Sequence, residues 1–237
     1  TLLPDVAGGT VTLGGTGDSV VVTGNDLRTN VIQDAGGNAV FTSNGSGVMS
    51  GMNSGFGGAL NLLATNTVTG SSGSAFTTQL TSTYDVYCFK FLDINVSAYS
   101  SFQFNGSSDS GSNYNVTKTT SYFGAEHYEN NASSTLNYRG GNDLAQSTAY
   151  QMMFQGADND ADDACVGELW LYAPSSTTYI KHFLCSGNYK VQSGDGATTN
   201  FFVGGYFNTT SAINAFNFNT TTGTFDGTIK LYGISKS

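Results

Sequence analysis

The run Thr210-Ser211-Ala212-Ile213-Asn214-Ala215-Phe216-Asn217-Phe218-Asn219-Thr220, the turn Thr221-Thr222-Gly223, and the run Thr224-Phe225-Asp226-Gly227-Thr228-Ile229-Lys230-Leu231-Tyr232-Gly233-Ile234 decide the fold. Two β-rich runs flank a short polar turn that ends in glycine, which predicts an antiparallel hairpin. Its apolar face needs a core to cover it, and the aromatic runs upstream can supply one.

The composition agrees. Of 237 residues, 31 are Gly and 2 are Pro, and only 11% are charged. Ser, Thr and Asn fill the gap, which suits short strands joined by polar turns and suits helices poorly. The 16 Phe, 13 Tyr and single Trp give the core its area. A net charge of −9 with eight basic residues spread along the chain excludes a nucleic-acid surface, which needs clustered Lys and Arg. No apolar run reaches membrane-spanning length, so no membrane insertion is expected. Cys88, Cys165 and Cys185 are odd in number and lack metal-site spacing. They read as buried free thiols, with a Cys165–Cys185 bridge open to geometry.

Working back along the chain, residues 1–80 differ from the rest. They hold 16 of the 31 glycines but only Phe41, Phe56 and Phe76 among the aromatics. Such a segment buries too little apolar area alone, and three copies around one axis would solve that. A homotrimeric stalk or prism is therefore expected, with Val20, Val22, Val31, Ile32, Val40 and Leu60 facing inward. Residues 66–83, rich in Ser, Thr and Gly, read as the linker to a second domain, 81–237. There the alternation over Tyr84–Ile94 puts Tyr87, Phe89 and Phe91 on one face and Val86, Cys88 and Leu92 on the other. Both faces look covered, so this is a central strand. Further strands are expected at 101–105, 120–128, 136–139, 149–155, 167–172, 178–185, 188–192 and 200–207. About ten strands without a helix predict an all-β, antiparallel jelly-roll β-sandwich behind a Gly-rich N-terminal β region.

The closing residues also carry a resemblance. Thr210–Ile213 and Gly223–Ile234 are similar to the "tsaI…g.f.sGti.LYGi" pattern that closes jelly-roll domains of bacteriophage tail-fibre and other virion-appendage proteins. Gly167–Pro174 and Tyr179–Lys181 resemble two earlier strands of those domains. Phe207 stands where many relatives have Trp, an aromatic-for-aromatic change. The resemblance covers roughly residues 81–237. It implies a virion setting, with other tail or capsid proteins as partners, and names no receptor. Joined to the trimeric stalk argued above, it makes adhesion of a fibre to host-surface glycan the expected role. It names no catalytic residue, and no enzyme is expected. A capsid (head) decoration protein, a secreted carbohydrate-binding module and a polysaccharide depolymerase are the alternatives.

The chemistry-bearing residues fit binding better than catalysis. His182 alternates with Ile180 and Leu184 and reads as a strand histidine turned toward the interior, and His127 as solvated. Glycoside hydrolysis needs two opposed carboxylates; Glu168, beside Trp170 and Tyr172, is the candidate acid. Tyr114, Tyr122, Tyr128 and Tyr138 are the candidate glycan-binding aromatics. Asp158, Asp160 and Asp162 alternate like the start of a calcium loop, but Asp163 replaces the turn glycine and Leu169 the closing glutamate of an EF-hand.

Overall fold

The computed structural model describes residues 31–33, 39–43, 46, 49–52, 59–191 and 196–234. The chain divides into two units, 1–56 and 57–237. In the first, β1 (Val31–Gln33), β2 (Ala39–Ser43) and β3 (Met49–Met52) form an antiparallel sheet in that order. Of the six positions expected to face a shared axis, Val20 and Val22 lie outside the described residues. Within this chain Val31 and Leu60 are exposed, while Ile32 and Val40 are half-buried.

The second unit is an all-β antiparallel sandwich with no helix among the described residues. Its strands are β4 (Leu60–Ser71), β5 (Gly73–Phe76), β6 (Val86–Val96), β7 (Ser100–Ser107), β8 (Lys118–Tyr128), β9 (Ser134–Tyr138), β10 (Gln151–Ala157), β11 (Cys165–Tyr172), β12 (Lys181–Val191), β13 (Ala197–Phe207), β14 (Ala215–Thr220) and β15 (Phe225–Ile234). A large sheet runs β4-β15-β6-β11-β12-β13-β8-β9, and a small one runs β10-β7-β14-β5. The two meet where Ala157 of β10 pairs with Val191 of β12.

The predicted hairpin is not one. β14 pairs with β7 and β5 in the small sheet, whereas β15 pairs with β6 and β4 in the large one. The turn Thr221-Thr222-Gly223 is an arch that carries the chain from one sheet to the other. Phe216 and Phe218 on one side, and Phe225, Ile229 and Leu231 on the other, are all buried in the same core. Two neighbouring strands cross beside it. Thr220 N–H donates to Ser72 O (3.1 Å), Thr221 N–H to Ser101 O (3.0 Å), and Ser97 N–H to Thr224 O (2.9 Å). Three strands thus fold over together as a ribbon, in jelly-roll fashion. Gly223 sits at φ +68 with Ser97 Oγ 2.7 Å from where a Cβ would stand, so the arch needs glycine.

Three further readings change. The presumed linker is strand: β4 and β5 flank the closing strands, and Val68, Phe76 and Leu80 are buried while the Ser and Thr between them mostly face out. The boundary therefore falls at 56/57, not 80/81. The two strands expected at 178–185 and 188–192 are one, β12. Gly187 makes no turn there; it lies opposite Gly167 in the ladder, where both close onto core rings. In β6, Tyr87, Phe89 and Phe91 are buried as expected, but Leu92 on the opposite face is exposed.

The core between the sheets is aromatic. Phe218 lies 5.0–6.3 Å, centroid to centroid, from Phe76, Phe89, Phe91, Phe102 and Phe216. At one end, Lys181, Phe207 and Lys118 stand in one cross-strand row, and both lysines are fully buried. Neither has a carboxylate partner. Lys118 Nζ donates to the carbonyls of Val116 (3.2 Å) and Ala149 and lies 5.7 Å from the Phe207 ring centre. Lys181 Nζ donates to Tyr179 O (2.8 Å) and Thr209 O (3.2 Å). Desolvation pulls the Lys118 ammonium down to about 7 from 10.5.

Below pH 7 both folded and unfolded chains hold this proton, and the full cost of burying it is present. Between pH 7 and 10.5 only the unfolded chain holds it, so stability rises with pH by up to about 1.4 kcal/mol per unit. Chemical denaturation from pH 6 to 10 will show this rise in the native protein and lose it in Lys118→Met.

Candidate functional site: the outer face of the large sheet

Strand alternation gives the large sheet two faces, and the outward one is apolar. Leu60, Leu62, Leu92, Val166, Tyr172, Leu184, Phe202, Phe123, Leu136 and Tyr138 all lie on it, and all are exposed. Single exposed apolar residues are ordinary, whereas a contiguous band marks an interaction surface. Two adjoining depressions of about 840 and 570 Å³ cut into it and share Glu168, Ser186 and Phe202.

The glycines of β11 and β12 explain the dip. A Cβ on Gly187 would stand 2.8 Å from the Phe201 ring and 3.0 Å from the Phe154 ring, and one on Gly167 would stand 3.0 Å from Gly187 Cα. The backbone there closes directly onto core rings, which hollows the opposite surface.

One cross-strand row crosses the hollow. It runs Lys230 (β15), Lys90 (β6), Glu168 (β11), Ser186 (β12), Phe202 (β13), Phe123 (β8) and Tyr138 (β9). Phe123 and Phe202 stack in the open, 5.2 Å apart and 11° from parallel. Lys90 is ion-paired with Glu168, and its Nζ lies 5.8 Å from the Trp170 ring centre. Burial would raise the Glu168 carboxyl, but hydrogen bonds from Lys90 and Trp170 outweigh it and hold it below its ordinary value. In the next row, Asn188 Nδ2 donates to Thr198 Oγ1 (2.8 Å) and Asn200 Oδ1 (2.9 Å), fixing two amides on the wall. The result is an open trough with aromatic walls and a few fixed polar groups, the chemistry that holds a sugar ring by its apolar face and its hydroxyls.

The expected tyrosines do not share a site. Tyr122 is a core residue, stacked on Phe201 at 6.0 Å with its hydroxyl on Met153 O (2.8 Å), so it is unavailable to a ligand. Tyr114 belongs to the loop over the small sheet, where its carbonyl accepts from Asn105 Nδ2 (2.7 Å). Tyr128 ends β8. Only Tyr138 is on the trough face, and its hydroxyl donates to Asp143 (2.6 Å). His182, expected inside, is exposed on the same outer face 5.9 Å from the Tyr206 ring, because Lys181, Phe183 and Cys185 take the inward positions. His127 is exposed and bonded to Asn131 Oδ1 (3.1 Å). Trp170, Phe123, Phe202 and Leu184 were the readable signal. Runs such as Leu169-Trp170-Leu171-Tyr172 and Phe201-Phe202-Val203 are apolar on both parities of a strand, which leaves one apolar set outside.

The acidic loop gathers a different trio from the one expected. Asp158, Asp160 and Asp163 converge, and Asp162 is exposed outside the group. The Lys190 ammonium stands among them, 3.4, 3.9 and 2.8 Å away. It supplies the positive charge a calcium ion would bring to these oxygens.

Cys165 and Cys185 are buried and unbridged, as is Cys88. Cys165 lies opposite Ile94 and Cys185 opposite Leu169, so neither strand register brings the two together. Burial raises the thiols, Cys88 to about 11 and Cys165 to about 12. Cys88 is on the trough side of β6, between Trp170 and Tyr232 in its row. A thiol reagent will therefore spare the native protein, label three thiols on unfolding, and label one in folded Trp170→Ala. Comparison of this chain with protein-family models, curated proteins and solved structures finds no match.

Proposed function

We propose that this chain is an adhesive structural module of a bacteriophage appendage, a tail fibre or related fibre, which holds host-surface glycan in the trough on its large sheet. The observation that carries the reading is that trough, with Trp170, Phe202 and Phe123 on its walls, Glu168, Asn188 and Asn200 as fixed polar groups, and Ser186 among its lining residues. The pattern of the closing strands supports the virion setting, and the Gly-rich first unit supports assembly as a trimer. Three weak sites on one particle fibre raise avidity by orders of magnitude without strong single contacts. Glu168 favours binding over hydrolysis: it is held ionised by Lys90 and Trp170, whereas a general acid needs a raised pKa.

A second reading is favoured by the extent of the apolar band, which continues past the trough to Leu60, Leu62 and Leu136. On that reading the face packs against other virion subunits, as in a head-decoration protein. An adsorption assay separates the two. Excess purified protein blocks phage attachment if the chain is an adhesin, and Phe202→Ala protein does not. Adsorption unaffected by the native protein, with Phe202→Ala and Leu136→Ser shifting its solution mass, would select the assembly reading.

A further inference from the structure

Resting on the glycan reading, we infer that the trough selects a carboxylated oligosaccharide, with Lys230 as the anion-binding residue. Among the described basic side chains, Lys118 and Lys181 are buried, and Arg139, Lys190 and Lys90 each hold a carboxylate. Lys230 alone is partly exposed with no acidic partner, and it lines the larger depression. It also stands directly opposite Lys90 on the neighbouring strand. Like charges in that position destabilise a sheet, and Glu168 neutralises only one of the two. The trough therefore carries one uncompensated positive charge in a chain whose net charge is −9.

A ligand carboxylate at Lys230 would balance the row, with one acid on each side of the lysine pair: carboxylate, Lys230 and Lys90, then Glu168. At the other end the row is apolar. Four strand spacings of about 4.8 Å put Phe202 about 19 Å from Lys230. The complementary ligand is extended, with an acidic sugar at one end and a sugar that offers an apolar face at the other. The negative surface elsewhere does not forbid this, since at physiological salt its field decays over about 8 Å.

Trp170 is the chain's single tryptophan and it lines the adjoining depression, so its fluorescence reports this site. The full chain is titrated with tetragalacturonate and with its methyl ester, and its binding to an array of neutral and carboxylated oligosaccharides is read in parallel. Expected are carboxylated ligands bound at least tenfold tighter than neutral ones, a preference weakened by salt and removed by Lys230→Gln, with residual neutral binding kept. Binding weakened by roughly thirtyfold in Phe202→Ala, with an unchanged melting temperature, places the ligand in the trough. Equal binding of acidic and neutral sugars, or a preference that survives Lys230→Gln, overturns the inference and leaves the glycan reading standing. No sugar bound on the array overturns both.

Discussion

Phe218→Ala will cost about 4 kcal/mol of stability, in the middle of the range for truncating a buried phenylalanine. The ring is fully buried and meets five other rings from both sheets, among them Phe89 and Phe91 of β6 and Phe102 of β7. Its removal leaves a cavity that those rigid rings cannot refill, and edge-on aromatic pairs add to the loss. In a unit of this size the melting temperature falls by about 10 °C. Urea unfolding will show a lower midpoint at unchanged slope. Phe218→Leu, which keeps most of the volume, will lose less. Phe202→Ala, an exposed ring on the far side of the large sheet, will stay within about 0.5 kcal/mol of the native protein. A comparable loss in both variants would mean that the sheet's outer face is as closely packed as its core.

Trp170→Ala and Phe202→Ala will each weaken glycan binding by roughly thirtyfold, about 2 kcal/mol, as expected of aromatic anchors at the centre of a site. The reason is geometric. Trp170 stands beside the Lys90–Glu168 pair, and Phe202 stands next to Ser186 in the same row, so each removes one wall of the trough. Tyr122→Phe supplies the contrast: it was a candidate from sequence, but its ring lies in the core, so binding will not change. Its buried hydroxyl bonds to Met153 O, so stability will fall by about 1 kcal/mol. Binding measured on the folded variants, against their melting curves, separates the two effects.

Much of the fold was legible in the sequence because strands write their period into it. The alternation over Tyr87, Phe89 and Phe91 placed a central strand where β6 occurs, and the β-rich run Thr224–Ile234 placed a strand where β15 occurs. Period alone does not say which sheet a strand joins. Thr221-Thr222-Gly223 would serve a hairpin as well as it serves the arch; burial of Phe218 and Phe225 in one core, from opposite sheets, decides between them. Nor does period say which parity faces inward when both are apolar. In Ser121-Tyr122-Phe123 the tyrosine is inside and the phenylalanine outside, and in Lys181-His182-Phe183-Leu184 the lysine is inside and the leucine outside. Those inversions hid the site, since the tyrosines singled out as glycan-binding aromatics include the core residue Tyr122, while the exposed Phe123 and Phe202 were passed over. In the acidic loop the alternation pointed to Asp158, Asp160 and Asp162, whereas the fold brings Asp163 rather than Asp162 to the first two. The loop's central cation, Lys190, comes from a strand some thirty residues on, and no local spacing announces it.

The most direct measurement is side-chain footprinting by carbene labelling of the full chain, alone and bound to host cells. If the trough is the working face, labelling of Trp170, Phe202, Phe123 and Leu184 falls on binding, while Tyr99 and Tyr179, exposed elsewhere, label unchanged. Undiminished labelling of Trp170 and Phe202 in the cell-bound protein would contradict the central claim that this face makes the contact.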